Sequence, residues 1–143
     1  MPPFFLDVFN NSNSKSNTQF KRFTSTFLPL KMLFVRIAGF SGAAAVALGA
    51  YGAHGLKGVK PEFADVWQRA NLYHFLHTTV MLFASQNLIG TKRKIVCGLL
   101  SAGVVLFSGS CYAVGLYQDR SFGKLAPYGG MCFIGGWLAI AVL

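Results

Sequence analysis

The chain has 143 residues, 53% of them hydrophobic and 12% charged, and a formal charge of +9. A charged share about half the usual quarter excludes an ordinary water-soluble globule, and the length fits one compact unit. The surplus of Lys and Arg is no nucleic-acid footprint, because these residues sit at the ends of long apolar stretches, where lipid headgroups would meet them.

Residues 1–31 differ from the rest. The run from Asn10 to Asn17 is polar and low in complexity, as expected of a disordered segment. Beyond Asp7 the segment lacks acids, while Lys15, Lys21, Arg22 and Lys31 alternate with Phe20, Phe23, Phe27 and Leu28. That is the composition of a mitochondrial transit peptide. It equally suits a dispensable tail ahead of Met32 as the true start, and both readings stand open beside Met1.

From residue 32 onward the charges define the architecture. Stretches 37–56, 70–91, 95–118 and 125–143 contain no Asp, Glu, Lys or Arg. About 20 apolar residues at a rise of about 1.5 Å cross a bilayer core, and a charge at its centre costs roughly 2.5–3.5 kcal/mol. The expectation is an all-α membrane protein with four transmembrane helices, about 35–55, 70–90, 95–116 and 126–143, forming one domain over 32–143. The connections 57–69, 92–94 and 119–124 are short, which favours antiparallel neighbours in an up-down-up-down bundle. Lys21, Arg22, Lys31, Arg36, Lys92, Arg93 and Lys94 would mark the cytoplasmic or matrix side. Lys57, Lys60, Arg69, Arg120 and Lys124, offset by Glu62, Asp65 and Asp119, would mark the other.

In the first span Ala45, Gly49 and Ala53 recur at four-residue steps, with Gly42 and Gly52 nearby. Such small residues let helix backbones approach closely in lipid. Gly98 and Gly109 in the third span, and Gly129, Gly130, Gly135 and Gly136 in the fourth, are the expected partners. The connection before the second span should form a short interfacial helix, since Pro61 suits a first turn and Glu62 and Asp65 favour an amino end. Trp67 would anchor it at headgroup level. Phe63, Val66, Trp67, Ala70, Tyr73, His74, His77 and Met81 continue one helical stripe.

Polar residues within the spans are few. His74 and His77 are one turn apart, Asn71 is one turn earlier, and His54 ends the first span on the same side. These four are expected to converge in one polar pocket. Imidazole binds metals and titrates near neutrality, so metal or haem binding or a proton relay is one reading. Hydrogen bonds that pin two helices together are the other, favoured because no carboxylate lies inside a span. Whether the histidines take a metal stays open, and no cofactor is expected. Ser108, Ser110 and Tyr112 read as ordinary helix-bonding groups. Cys97, Cys111 and Cys132 read as free thiols, since three cannot pair completely.

The segments Gly49-Ala50-Tyr51-Gly52-Ala53-His54-Gly55, Tyr73-His74-Phe75-Leu76-His77, Phe107-Ser108-Gly109-Ser110-Cys111-Tyr112, Ala126-Pro127 and Gly135-Gly136-Trp137 together resemble the transmembrane protein 256 family, related to bacterial proteins grouped as domain of unknown function 423. The similarity runs over roughly residues 33 to 143. It implies a small multi-pass membrane protein without an established activity, and in bacterial members a Tyr-His pair that commonly lacks the second histidine. The expected function is a non-enzymatic structural or assembly component, with membrane lipid and other membrane proteins as partners and no nucleic acid. The alternatives are a histidine-based haem, metal or proton accessory, or a small-solute transporter. The location is a membrane, with the mitochondrial inner membrane as one candidate.

Overall fold

The computed structural model describes residues 30–142, and every regular element among them is helical. Contacts divide the chain into units of residues 1–33 and 34–143. Of the first unit, 30–33 are described, as the opening turn of a helix. The expectation of a disordered or targeting tail falls on residues otherwise outside the described range.

Four long helices follow one another. Helix α1 covers Leu30–His54 and α3 covers Gly90–Tyr117. Helix α2 covers Pro61–Asn87, and α4 covers Ala126–Val142 behind a 3-10 segment, Arg120–Leu125. Their boundaries have local causes. Extended Lys60 followed by Pro61, with Glu62 in the first turn, opens α2. Leu88 and Ile89 are extended, and Gly90 takes the left-handed φ of 59° that turns the chain into α3. Gln118 ends α3 in the left-handed region, and the Asp119 carboxylate accepts from the Ser121 N–H at 2.8 Å to cap the next segment.

Three helices are long and apolar enough to cross a membrane: α1, α3 and the run Arg120–Val142. Helix α2 is 27 residues long, or about 40 Å, but is not among them. The physical reason is its polar content: Asn71, His74, His77 and Thr78 lower the mean hydropathy of a stretch that holds no formal charge. The helix expected to open at Pro61 and run into the second stretch around Arg69 to Asn71 does so: residues 61–87 form one unbroken helix, because Val66 to Asn71 contain neither Gly nor Pro to interrupt it.

Helix α3 departs from α geometry in the middle. Val104–Gly109 is π-helical, between α-helical Gly90–Gly103 and Ser110–Tyr117. A π-turn bonds to the fifth residue back and accommodates an extra residue, shifting the faces on either side. The Ser108 hydroxyl, fully buried in this segment, has no hydrogen-bond partner.

Two buried clusters occupy different levels. One joins Ala38, Met81, Ala84, Val96, Cys97, Leu100 and Phe133. The other joins Trp67, Ala70 and Tyr112, with Leu48, Leu56 and Cys111 against it. Large apolar side chains elsewhere point outward, among them Phe40, Val105, Tyr128, Met131 and Val142. A surface this apolar suits lipid and not water.

Candidate functional site

The first polar site begins with the small residues of α1. A Cβ on Gly52 would come within 2.6 Å of the Trp67 indole nitrogen, and one on Gly49 within 2.9 Å of Asn71 Oδ1. These two glycines, with buried Ala45, form a slot on α1 that admits two large side chains of α2. Inside the slot Trp67 Nε1–H donates to Leu48 O at 2.9 Å, and Asn71 Nδ2–H donates to Ala45 O at 2.7 Å. Both carbonyls already accept within their helix, and each has a second lone pair to offer.

Asn71 uses its other amide proton on the Tyr112 hydroxyl of α3, at 3.1 Å. Tyr112 OH lies 3.3 Å from His74 Nδ1, His74 Nε2 lies 3.0 Å from Ser41 Oγ, and Ser41 Oγ lies 2.7 Å from Thr78 Oγ1. An amide N–H can only donate, which fixes the sense of the chain as far as Ser41. Tyr112 accepts from Asn71 and donates its O–H to His74 Nδ1. His74 is then the Nε2–H tautomer, donating to Ser41, whose hydroxyl pairs with that of Thr78. The reverse sense would bury the Tyr112 O–H without an acceptor, at a cost of about 1–3 kcal/mol. Five side chains from three helices thus form one directed network.

His77 is not part of it. Its Nδ1 lies 2.7 Å from Tyr73 O. A carbonyl accepts only, so this nitrogen carries the proton. Trp137 Nε1–H of α4 donates to Nε2 at 3.3 Å. His77 is therefore neutral and held in the opposite tautomer to His74. Its ring stacks on Phe133 at 3.6 Å and 14° and faces Tyr73 at 5.6 Å. Phe107, from the π-helical segment, closes on Tyr73 at 4.9 Å. The same side chains, with Leu76, Gly130, Ile134 and Trp137, line a crevice of about 440 Å³.

The expected convergence of His54, Asn71, His74 and His77 is thus corrected. Asn71 and His74 meet at Tyr112, His77 faces α4, and His54 is exposed at the end of α1. The cause is helical drift. Each three-residue step leaves a residue about 60° short of its predecessor, so Asn71 and His77 stand about 120° apart around α2. Among the described residues no three His, Cys, Asp or Glu side chains are grouped to hold a metal. The Cys97, Cys111 and Cys132 thiols are free.

Other expected residues sort by contact. Trp67 is 3% exposed, with its ring against Tyr51 and Tyr112. Protein encloses the indole that was expected to face headgroups, because the Gly52 gap lets it turn toward α1. Gly129 meets the closest approach: a Cβ there would fall on the backbone of Phe107. A Cβ added at Gly136 would lie 2.8 Å from Leu100, one at Gly135 3.5 Å from Leu99, one at Gly42 3.7 Å from Thr78 and one at Gly130 3.9 Å from Phe107. Gly98 and Gly109 are exposed, and a Cβ on either would meet nothing within 4 Å among the described residues, so the expectation that they pack against another helix fails within this chain. Their place is taken by Gly103, whose Cβ would fall on the Phe133 ring, and Gly115, whose Cβ would lie 3.2 Å from Trp67 Cβ.

Sequence reasoning also missed Ser41, Thr78, Tyr112 and Trp137 as partners. Thr78 lies one turn beyond His74, a signal that was available. Tyr112 and Trp137 lie on other helices, and no spacing on α2 points to them.

The family described as protein of unknown function (DUF423) matches residues 48–130. The UPF0382 membrane protein YwdK of Bacillus subtilis is 37% identical over 88 residues, which are 59% of this chain and 72% of the relative. A UPF0382 membrane protein of Haemophilus influenzae is 30% identical over 115 residues, covering 78% of this chain and 93% of the relative. No solved structure matches the chain. Relatives named as membrane proteins, together with three helices suited to crossing a bilayer, support a membrane location. The chain belongs to the family described as protein of unknown function (DUF423), whose span takes in the slot on α1 from Leu48, all of α2 and α3, and the opening of α4.

Proposed function

We propose that the chain is a four-span, non-enzymatic structural or assembly component of a membrane, with lipid and other membrane proteins as its partners. Helix α2 serves as the fourth span. Its length supports this, and Asn71, His74, His77 and Thr78 are directed at α1, α3 and α4, while exposed Thr79 donates back to Phe75 O of its own helix, so these groups need not face lipid unpaired. The contacts Ser41 with Thr78, Ala45 with Asn71 and Leu48 with Trp67 step down α1 as they step up α2, which supports antiparallel neighbours. An up-down-up-down bundle extends this pattern through the short connections. Both termini then lie on the cytoplasmic or matrix side. The basic, acid-poor residues 1–31 favour the mitochondrial inner membrane among candidate membranes.

One observation carries the non-enzymatic reading: both ring nitrogens of His74 and of His77 are engaged by protein partners. An imidazole so used offers no lone pair to a metal or haem iron without breaking a bond that joins two helices. The histidines act as fasteners. Detergent-purified protein should be colourless, free of stoichiometric metal and unchanged in spectrum in His74→Ala, while proximity labelling in cells returns recurring membrane-protein neighbours. A visible absorption band or bound metal that disappears in His74→Ala would overturn this in favour of a haem or metal accessory. Glycosylation mapping that places residues 57–60 and 92–94 on one side would remove α2 as a span.

A further inference from the structure

The chain contains four acids, and their placement is uneven. Asp7 is outside the described residues, Glu62 and Asp65 open α2, and Asp119 lies between α3 and α4. The last three share one end of the helical unit. Gln118 Oε1 accepts from the Lys60 N–H, and the Arg120 guanidinium lies 6.0 Å over the Phe63 ring. The cations of that end (Lys57, Lys60, Arg69, Arg120 and Lys124) therefore have carboxylates in their neighbourhood.

The far end of α2 is different. Phe34, Ala38, Ala84, Leu88 and Val96 belong to one packed cluster, which brings Arg36 and the first turns of α3 to the same level. Arg36 and Lys94 are exposed and Lys92 is half-buried. Arg93 between the lysines turns inward, 4% exposed, with Nε donating to Leu88 O at 2.6 Å, and is not part of the outer surface. No acid is found at this end among the described residues. The apolar side chains beside the cations are outward too: Phe40 is 78% exposed, Ile89 67% and Ile95 40%.

Cationic heads on long stems at the rim of an exposed apolar belt match the boundary between acyl chains and headgroups. We infer that Arg36, Lys92 and Lys94 form a collar that recruits anionic phospholipids, recognising the headgroup phosphate. A free phosphate ion would use the charges but not the apolar rim. The inference rests on the membrane-spanning reading above and adds to it the class of lipid and the leaflet side.

The test uses full-length protein reconstituted in vesicles, with spin-labelled phosphatidylglycerol and phosphatidylcholine reporting lipid held at the protein surface. A cation near an anionic surface contributes about fivefold, or ~1 kcal/mol. For a phosphatidylglycerol headgroup that meets one cation of the collar, the expected selectivity is therefore about fivefold at low salt. It should fall toward unity in Arg36→Gln/Lys92→Gln/Lys94→Gln and in about 1 M salt, where the screening length is about 3 Å. Lys57→Gln/Lys60→Gln/Lys124→Gln, which removes the same charge at the acid-containing end, should retain the selectivity. Equal retention of both lipids by the unaltered protein, equal loss in both triple variants, or displacement by inorganic phosphate at constant ionic strength would each overturn the inference. Absence of any immobilised lipid would instead overturn the membrane-spanning reading on which it rests.

Discussion

His74 and His77 lie three residues apart on α2, both buried, yet different forces hold them. Around His74 the contacts are polar: an amide, a phenol, an imidazole and two hydroxyls are linked by hydrogen bonds from Asn71 through Tyr112, His74 and Ser41 to Thr78. Around His77 they are aromatic, with Phe133 and Tyr73 on the ring faces and one Trp N–H on the edge. The first region is specified by donor and acceptor pairing, the second by shape. In a membrane this difference matters, because apolar side chains gain little by leaving lipid for a protein interior. Hydrogen bonds and close packing must then supply the specificity that the hydrophobic effect supplies in water.

The largest expected effect breaks the shape-specified region. Gly129→Leu places a side chain where the Phe107 backbone lies, and should destabilise by roughly 3 kcal/mol or abolish folding, read by thermal unfolding in detergent. Gly98→Ala and Gly109→Ala, facing open space, should leave the midpoint unchanged or raised. If all three behave alike, close approach at Gly129 is not what holds α4 on α3.

Tyr112→Phe tests the polar region. It strips Asn71 and His74 of a common partner and should cost about 1–2 kcal/mol, toward the upper range for a membrane hydrogen bond. Nitrogen-15 spectra of labelled protein should show His74 protonated at Nε2 and His77 at Nδ1. A single shared tautomer would remove the directed network. Trp137→Phe gives the smaller counterpart: His77 loses one long hydrogen bond but keeps its stack, for an expected loss near 0.6 kcal/mol.

The smallest effect lies outside both regions. The Ser121 N–H holds the Asp119 carboxyl below its ordinary value of 3.8. Since folding lowers this pKa, the contribution is present above the ordinary Asp range and is lost as pH falls through the lower folded value. Asp119→Asn should flatten that acid limb slightly, as read from unfolding midpoints below about pH 4. A steeper limb in the variant would contradict the cap.

Much of the helical layout was legible because its causes are local. Pro61 with Glu62 opened α2 as its chemistry requires, and the charge-free stretches fell largely within helices, the second running past the end of α2 through extended Leu88 and Ile89. Polar residues were legible as a set but not as a site. Asn71 and His74 do share a partner, whereas His77 and His54 part from them. The small-residue stripe on α1 was visible, but its use as a slot for Trp67 and Asn71 was not. That role depends on which face of α2 arrives there. On α3 the exposed pair Gly98 and Gly109 looked the same in sequence as the packed pair Gly103 and Gly115. The π-helical segment compounds the difficulty, since it shifts the faces of everything after Val104.

The amino-acid sequence by itself determined that this protein carries long charge-free stretches suited to lipid, because the penalty for a charge in hydrocarbon is set residue by residue along each stretch. Only the tertiary structure decided which helix faces meet, which glycines lie at close approaches and which tautomers His74 and His77 adopt. Those outcomes depend on the angular position of one helix against another, and partners 19 to 60 residues away on other helices supply most of them.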